Sequence, residues 1–176
     1  MSIEAPSELA GDDGIDRVEQ AWVRERPGID VSSVGIVSRI WRIARYLERA
    51  RSQRLAELGT DHATLEVLAV LRRSGKPYRM TAGQLTEAAL ITPGGISNRL
   101  DRLERGGMLK RSFHPKDRRR VDVQLTRKGV QLVDEVVSDL MDHESRLLAL
   151  IGASDHAELR RLLKVLLAQF EDPGND

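Results

Sequence analysis

The chain has 176 residues, 40% of them hydrophobic, which suits one domain with a hydrophobic core and is short for two. Cysteine is absent, which excludes disulfides, thiolate metal sites and thiol redox sensing, and aromatic residues make up only 3%, which disfavours the base-stacking platforms of single-strand binders. The formal net charge is +1, yet residues 92–129 carry eleven basic and four acidic side chains, a concentration expected of a protein that binds a polyanion.

The N-terminal third is predicted to be helical after an acidic start. Residues 1–14 contain Pro and Gly among acidic side chains and are predicted to form a mobile tail. A short helix is expected over residues 15–25 and a long helix over residues 34–58, the second with an apolar stripe that ends at Gly59. No run of 18 apolar residues occurs and the acidic N-terminus lacks the apolar core of a secretory signal, so we expect a cytoplasmic protein without a membrane partner.

Capping signals in the middle of the chain predict a helix-turn-helix. A first helix is expected to start at Thr60 or Asp61 and to end at Gly75. Thr81 and Gln84 then have the spacing of a capping box, which predicts a second, short helix. This short helix would be the first helix of a helix-turn-helix if another helix follows it closely.

That third helix has the pattern of a recognition helix. Thr92 is a suitable N-cap, Pro93 suits the first helical position, and the helix is predicted to end near Arg105. The residues predicted to face inward, at helical spacing, are Ile96, Leu100 and Leu103. Hydroxyl, amide and guanidinium groups suit base edges and phosphates, and those expected to contact DNA here belong to Thr92, Ser97, Asn98, Arg99 and Arg102.

Two short β-prone segments, residues 109–113 and 121–125, predict a β-hairpin. In the second, apolar residues alternate with Asp122 and Gln124, the pattern of a half-buried strand. The polar turn between them, residues 114–120, ends in three arginines that we expect to reach DNA: Arg118, Arg119 and Arg120. A lone run of arginines is usually only solvated, but its place after a helix-turn-helix favours a DNA-binding wing.

The C-terminal third is predicted to be helical again. Thr126 is expected to cap a long helix that continues to Ile151 and is broken at Gly152, and a last helix is expected to start at Asp155. The predicted fold is therefore mainly α with a small β-wing, a winged helix-turn-helix. Its expected divisions are a tail (1–14), N-terminal helices (15–60), a DNA-binding lobe (61–126) and C-terminal helices (127–172).

The chain resembles the MarR family of transcription regulators over about residues 33–170. The resemblance rests on the order of five stretches, none of which is specific alone: Ile91–Gly95, Asn98–Glu104, Gly107–Leu109, Asp117–Arg119 and Leu125–Gly129. It implies an obligate homodimer in which the first and last helices of both subunits pack together. The apolar stripes at both ends of the chain agree with that arrangement.

The resemblance also implies regulation by a small aromatic or anionic effector. The added N-terminal helix is similar to that of the urate-responsive subgroup, which implies that Trp22, Glu66, Arg99 and Arg111 bind the effector. The subgroup has Asp where this chain has Glu66, so the carboxylate here is displaced by one methylene. Simpler roles are packing for Trp22, an ion pair for Glu66 and DNA binding alone for Arg99.

These observations predict a sequence-specific double-stranded DNA-binding protein, a ligand-responsive repressor that occupies a pseudo-palindromic operator as a dimer. The alternatives are a ligand-independent architectural DNA-binding protein and a helical interaction module whose basic hairpin binds an acidic partner. An enzyme is not expected, because the four histidines are isolated and the chain has no phosphate-binding loop or nucleophile motif. No catalytic residue, cofactor or metal site is predicted.

Overall fold

The computed structural model describes residues 11–89, 93–114 and 117–171 of the chain. The chain divides into two compact units: Arg45–Asp142 forms one, and Met1–Ala44 together with His143–Asp176 forms the other. Among the described residues, no helix combines the length and the apolarity needed to cross a membrane.

The described residues form helices and one small antiparallel sheet, which confirms the mainly α fold with a small β-wing. In chain order the elements are α1 (Gly14–Glu25), α2 (Ser32–Glu57), α3 (His62–Arg73), β1 (Arg79–Thr81), α4 (Ala82–Ala88), α5 (Pro93–Arg105), β2 (Leu109–His114), β3 (Asp117–Leu125), α6 (Arg127–Leu147) and α7 (Ala153–Glu171). The strand order is β1-β3-β2, so β3 is the central strand.

One hydrophobic core holds the Arg45–Asp142 unit together. Helix α3 supplies six of its buried residues, because it is apolar on most of its circumference and is surrounded by other elements. The side chains with almost no exposed surface come from five further elements as well as α3: Leu55, Val67, Leu68, Leu71, Leu85, Leu109, Val123 and Val133.

The predicted caps are confirmed by the hydrogen bonds that they make. Asp61 accepts a 2.9 Å bond from the backbone N–H of Thr64 and so starts α3. Thr81 and Gln84 form a reciprocal capping box at the start of α4, with bonds of 3.2 and 3.0 Å. Gly107 has a φ of 73° and supplies the left-handed residue that ends α5.

The sheet differs from its prediction in three respects. It has a third strand, β1, that is too short for any periodic pattern and is defined only by its pairing with residues 122–124. Strand β3 begins at Asp117, so Arg118–Arg120 lie in the strand and the prediction that they form a turn was wrong. The register with β2 shifts here, because Phe113 pairs with Val121 and His114 pairs with Asp117, so Arg118–Arg120 lie in an irregular part of the ladder.

The burial of Asp122 is the third difference between the sheet and its prediction. The alternating pattern placed it on the solvent side of β3, yet only 4% of its surface is exposed. It lies opposite Thr81 on β1 and Ser112 on β2, so both flanks of the central strand are covered. Its carboxylate lies 3.9 Å from the guanidinium of Arg79.

Helix α6 is shorter than predicted, since it ends at Leu147 rather than at Ile151. Its start is as expected: the hydroxyl of Thr126 accepts a 3.1 Å hydrogen bond from the backbone N–H of Gly129. The hydroxyl also lies 2.7 Å from the carbonyl oxygen of Gly107 and donates there, which joins the start of α6 to the end of α5.

In the other unit, charged groups join α1 to α2. Asp13 caps α1, and the guanidinium of Arg39 donates to its carboxylate at 3.0 Å and to Asp16 at 2.5 Å. The hydrogen bond from Arg39, with those from the N–H groups of Ile15 and Asp16, lowers the pKa of Asp13 from 3.8 to about 2.

Apolar side chains on the same unit are left uncovered. Helix α7 has no buried residue, and 78% of Phe170 is exposed. On α2, Trp41 is 70% exposed. Other large apolar side chains of this unit that the single chain leaves exposed are Val18, Trp22, Val23, Ile29, Ile36, Val37, Ile43, Leu147, Leu148, Leu150, Leu159, Leu162, Leu163, Val165 and Leu167. Uncovered apolar surface of this extent marks an interaction face.

Candidate nucleic-acid interface

Helix α5 has one buried and one exposed face, as predicted. Ile96, Leu100 and Leu103 are at most 5% exposed and anchor the helix in the core. On the opposite face Ser97 and Asn98 are exposed. Arg102, one turn further along, is exposed as well. The helix therefore presents hydrogen-bonding side chains outward from a rigid base, which is what insertion into a major groove requires.

Arg99, predicted to contact both DNA and effector, is held within the protein. Its guanidinium donates to the carboxylate of Asp61 and, at 2.7 Å, to the hydroxyl of Thr64. Its Nε atom is buried without a hydrogen-bond partner. Because Asp61 is the N-cap of α3, Arg99 joins the recognition helix to the first turn of that helix.

The charge state of Asp61 favours this contact. Burial raises the pKa of its carboxyl, but the backbone and hydroxyl hydrogen bonds of Thr64 and the charge of Arg99 outweigh burial and leave that pKa below its usual value. Asp61 is therefore ionised at neutral pH and accepts from Arg99 as a carboxylate.

Arg111 makes the corresponding joint between α5 and the wing. Its guanidinium contacts Glu104 at 2.7 Å and Asp101 at 2.6 Å, and its backbone N–H donates to Glu104 at 2.8 Å. The side-chain and backbone hydrogen bonds from Arg111 lower the pKa of Glu104. Two acidic residues one turn apart on α5 thus fix the position of β2 beside the helix.

The predicted wing residues are only partly described. Arg120 is exposed near the free end of β3. Arg118 and Arg119 are in β3, but their side chains lie outside the described part, and Thr92 is outside the described residues altogether. The exposed basic residues on α5, the wing and the start of α6 are Arg102, Arg105, Lys110, Arg120, Arg127 and Lys128.

Each predicted effector residue has its contacts described within its own unit. Trp22 is 48% exposed and lines an open cavity on α1 with Arg17, Val18, Ala21 and Glu25. Glu66 forms an ion pair of 3.1 Å with Arg73 on its own helix, which is the simpler role given for it above. Within the described residues no group of three potential metal ligands occurs.

Sequence reasoning missed the partners of the two arginines. Asp61 was assigned only a capping role, and Glu104 was assigned none. Arg99 and Asp61 are 38 residues apart, and no local pattern connects them. Phe113 was also missed, although it is 71% exposed on β2, and a large aromatic next to the basic turn was the available signal.

Comparison with known proteins identifies the family to which this chain belongs. A family model described as the MarR family matches residues 58–120. The HTH-type transcriptional regulator PecS of Dickeya dadantii is 32% identical over 146 residues, which cover 83% of this chain and 88% of PecS.

Two solved structures show the same fold. Wild-type apo MarR from E. coli is 26% identical, with a TM-score of 0.63, and the match covers 74% of this chain and 96% of MarR. Sco3205 from Streptomyces coelicolor, solved in complex with DNA, is 21% identical, with a TM-score of 0.68 and coverage of 86% and 96%. The exposed reading face of α5, the basic wing beside it and the extent of these matches lead to one conclusion: the chain belongs to the MarR family of HTH-type transcriptional regulators.

Proposed function

We propose that the protein is a ligand-responsive transcription repressor that binds a pseudo-palindromic operator as a homodimer. The observation that carries the proposal is the exposed row of Ser97, Asn98 and Arg102 on a helix whose other face is anchored in the core. Such a row is accessible to a major groove and has little role in the stability of the single chain. A regulator of this kind needs access to chromosomal DNA, which favours the cytoplasm, and it needs no catalytic site.

Each reading residue has a specific proposed contact. Asn98 suits a bidentate contact to adenine, and Arg102 suits guanine or a phosphate. Ser97 and Thr92 suit phosphates or either base edge. The wing arginines, Arg118 to Arg120, would enter the adjacent minor groove or contact its phosphates. Arg99 supports the recognition helix through Asp61 rather than reaching far into the groove.

Dimerisation through the N- and C-terminal helices is supported by the uncovered apolar faces of α2 and α7. Covering Trp41 and Phe170 with the same surfaces of a second copy would produce a two-fold dimer. Two recognition helices related by that symmetry would reach half-sites about 34–36 Å apart. Light scattering at micromolar concentration should give the mass of two chains, and a folded monomer would contradict the proposed operator symmetry.

The effector part of the proposal centres on Arg99. A small anionic or aromatic molecule that takes hydrogen bonds from its guanidinium would compete with Asp61 and Thr64 and loosen the recognition helix. Trp22, Glu66 and Arg111 are the other proposed effector residues. Ligand binding and DNA binding would then oppose each other through one shared arginine.

Selection of bound duplexes from a random pool, followed by fluorescence anisotropy, tests the function. We expect one enriched inverted repeat and an affinity that falls steeply with salt. Enrichment without a motif would instead support an architectural DNA-binding protein. No salt-sensitive duplex binding at all would support the interaction module and would exclude the proposed function.

A further inference from the structure

The wing carries an exposed aromatic side chain that the proposed DNA contacts do not use. Phe113 on β2 is 71% exposed and lies opposite Val121 on β3. With Arg111 and Ser112 these residues line an open cavity of about 250 Å³. The phenyl ring lies outside the hydrophobic core and leaves an apolar surface on the wing that a partner can cover.

The position of Phe113 follows from the alternation of side chains along β2. Leu109, Arg111 and Phe113 belong to the same face of the strand, because successive side chains point to opposite faces. Leu109 is buried in the core, and Arg111 contacts Glu104 and Asp101 of α5. Phe113 is therefore on the face of the wing that is turned toward the recognition helix.

The direction of β2 extends this argument. The chain reverses at Gly107, and Arg111 then reaches back to Glu104 and to Asp101, one turn nearer the start of α5. Phe113 is two residues further along the strand, about 7 Å beyond Arg111. It thus lies on the side of the wing toward the half of α5 that carries Asn98.

We propose that Phe113 packs against the deoxyribose of the DNA strand that passes between α5 and the wing. This inference rests on the proposed function. When a helix occupies the major groove and a hairpin reaches the adjacent minor groove, one sugar-phosphate backbone must run between them. Arg120, which directly precedes Val121 on β3, and Arg102 on α5 are both exposed and provide charge complementarity to its phosphates. An apolar ring on a wing that also carries positive charge suits the sugar of a backbone whose phosphates the arginines attract.

This contact differs from the arginine contacts in its salt dependence. An uncharged side chain releases no counterions when it meets DNA, so its loss lowers affinity without changing the slope of log K against log salt. Because the deoxyribose is the same in every nucleotide, selected and random duplexes should weaken by the same factor.

The experiment compares Phe113→Ala with Ser112→Ala, a neighbour on the opposite face of the same strand. We expect Phe113→Ala to weaken both duplexes by about tenfold or more, as burial of a phenyl ring implies, with an unchanged salt slope. Phe113→Leu should recover part of the loss. Ser112→Ala should bind as the wild type does, and an equal loss in that variant would overturn the proposal.

Hydroxyl-radical footprinting on the selected duplex provides the direct readout, since the radical attacks exposed deoxyribose. Phe113→Ala should lose protection at a few nucleotides between the major-groove and minor-groove contacts of each half-site, with the remaining footprint intact. Unchanged affinity, an unchanged footprint or a reduced salt slope would each overturn the proposal. If the wild type bound no duplex, the proposed function itself would fail, a result distinct from any of these.

Discussion

The Nε atom of Arg111 on β2 lies 2.8 Å from the carboxylate of Glu104 on α5, so a charged hydrogen bond joins the wing to the recognition helix. A second carboxylate, that of Asp101, meets the same guanidinium at 2.6 Å. A planar guanidinium can satisfy both acids at once, which a lysine ammonium cannot do with the same geometry. Arg111 thus links two elements for which DNA contacts are proposed.

Replacing Arg111 by Lys should therefore reduce DNA affinity more than it reduces stability. The side chains of Arg111, Glu104 and Asp101 are each about a third exposed or more, so their two ion pairs add little to the free energy of unfolding. The change should lower affinity for the selected duplex while the thermal midpoint shifts by a few degrees at most. Anisotropy and thermal denaturation measured on the same sample would check this, and a large fall in the midpoint with normal affinity would contradict it.

The contact between Arg99 and Asp61 leads to a second prediction. Asp61→Asn keeps a good N-cap for α3 but removes the charge that holds Arg99. We expect weaker binding of the selected duplex, with the helix content retained in far-UV circular dichroism. The control is Glu66→Gln, which alters an acid on the same helix that pairs with Arg73. Equal losses in the two variants would show that the effect is not specific to Arg99.

Gly129 leads to a stability prediction. A Cβ at this position would lie 1.9 Å from the carbonyl oxygen of Met108, and a backbone atom cannot move aside as a flexible side chain can. Gly129→Ala should destabilise the protein by about 3 kcal/mol or more, at the upper end of overpacking effects. Gly83→Ala on α4 is the matched control, since nothing lies within 4 Å of its Cβ.

The control variant should be neutral or more stable by up to about 1 kcal/mol, because alanine restricts the unfolded chain. Urea denaturation of both variants gives the comparison. A Gly129→Ala protein as stable as the wild type would show that the backbone at Met108, between α5 and β2, adjusts freely.

The depressed pKa of Asp13 predicts a pH dependence for the docking of α1. A carboxyl whose pKa is lower in the folded chain contributes stability that is complete above its unfolded pKa and is lost as the pH falls through its folded pKa. For Asp13 this window extends from 3.8 down to about 2. In a Trp41→Phe background, emission from Trp22 should report the release of α1 across that window.

Asp13→Asn is the control for this titration, because asparagine caps a helix but carries no charge to attract Arg39. The step between pH 4 and 2 should be reduced or absent in that variant. A step of the same size in both proteins would assign the transition to other carboxylates.

Base reading is tested by Asn98→Ala and Arg102→Ala. Each side chain is exposed on α5, so removing it leaves the core intact. Loss of one bidentate contact should cost about 1–3 kcal/mol on the selected duplex and less on a random one. Equal losses on both duplexes would mean that these residues contact phosphates instead of bases.

The local features of this protein were predictable from its sequence. Asp61, Thr81 and Thr126 cap the helices that their spacing indicated, since a cap forms hydrogen bonds with residues only two or three positions away. The buried face of α5 followed from helical periodicity for the same reason. The order of these elements was enough to predict a winged helix-turn-helix.

What joins the elements was decided only by the tertiary structure. Arg99 meets Asp61 across 38 residues, and β1 exists only because β3 offers it a partner. Asp122 is buried against its alternating pattern because its strand became the central one. Capping and periodicity depend on neighbours within one or two turns. These contacts depend on where distant elements pack, and no local pattern in the sequence reveals that packing.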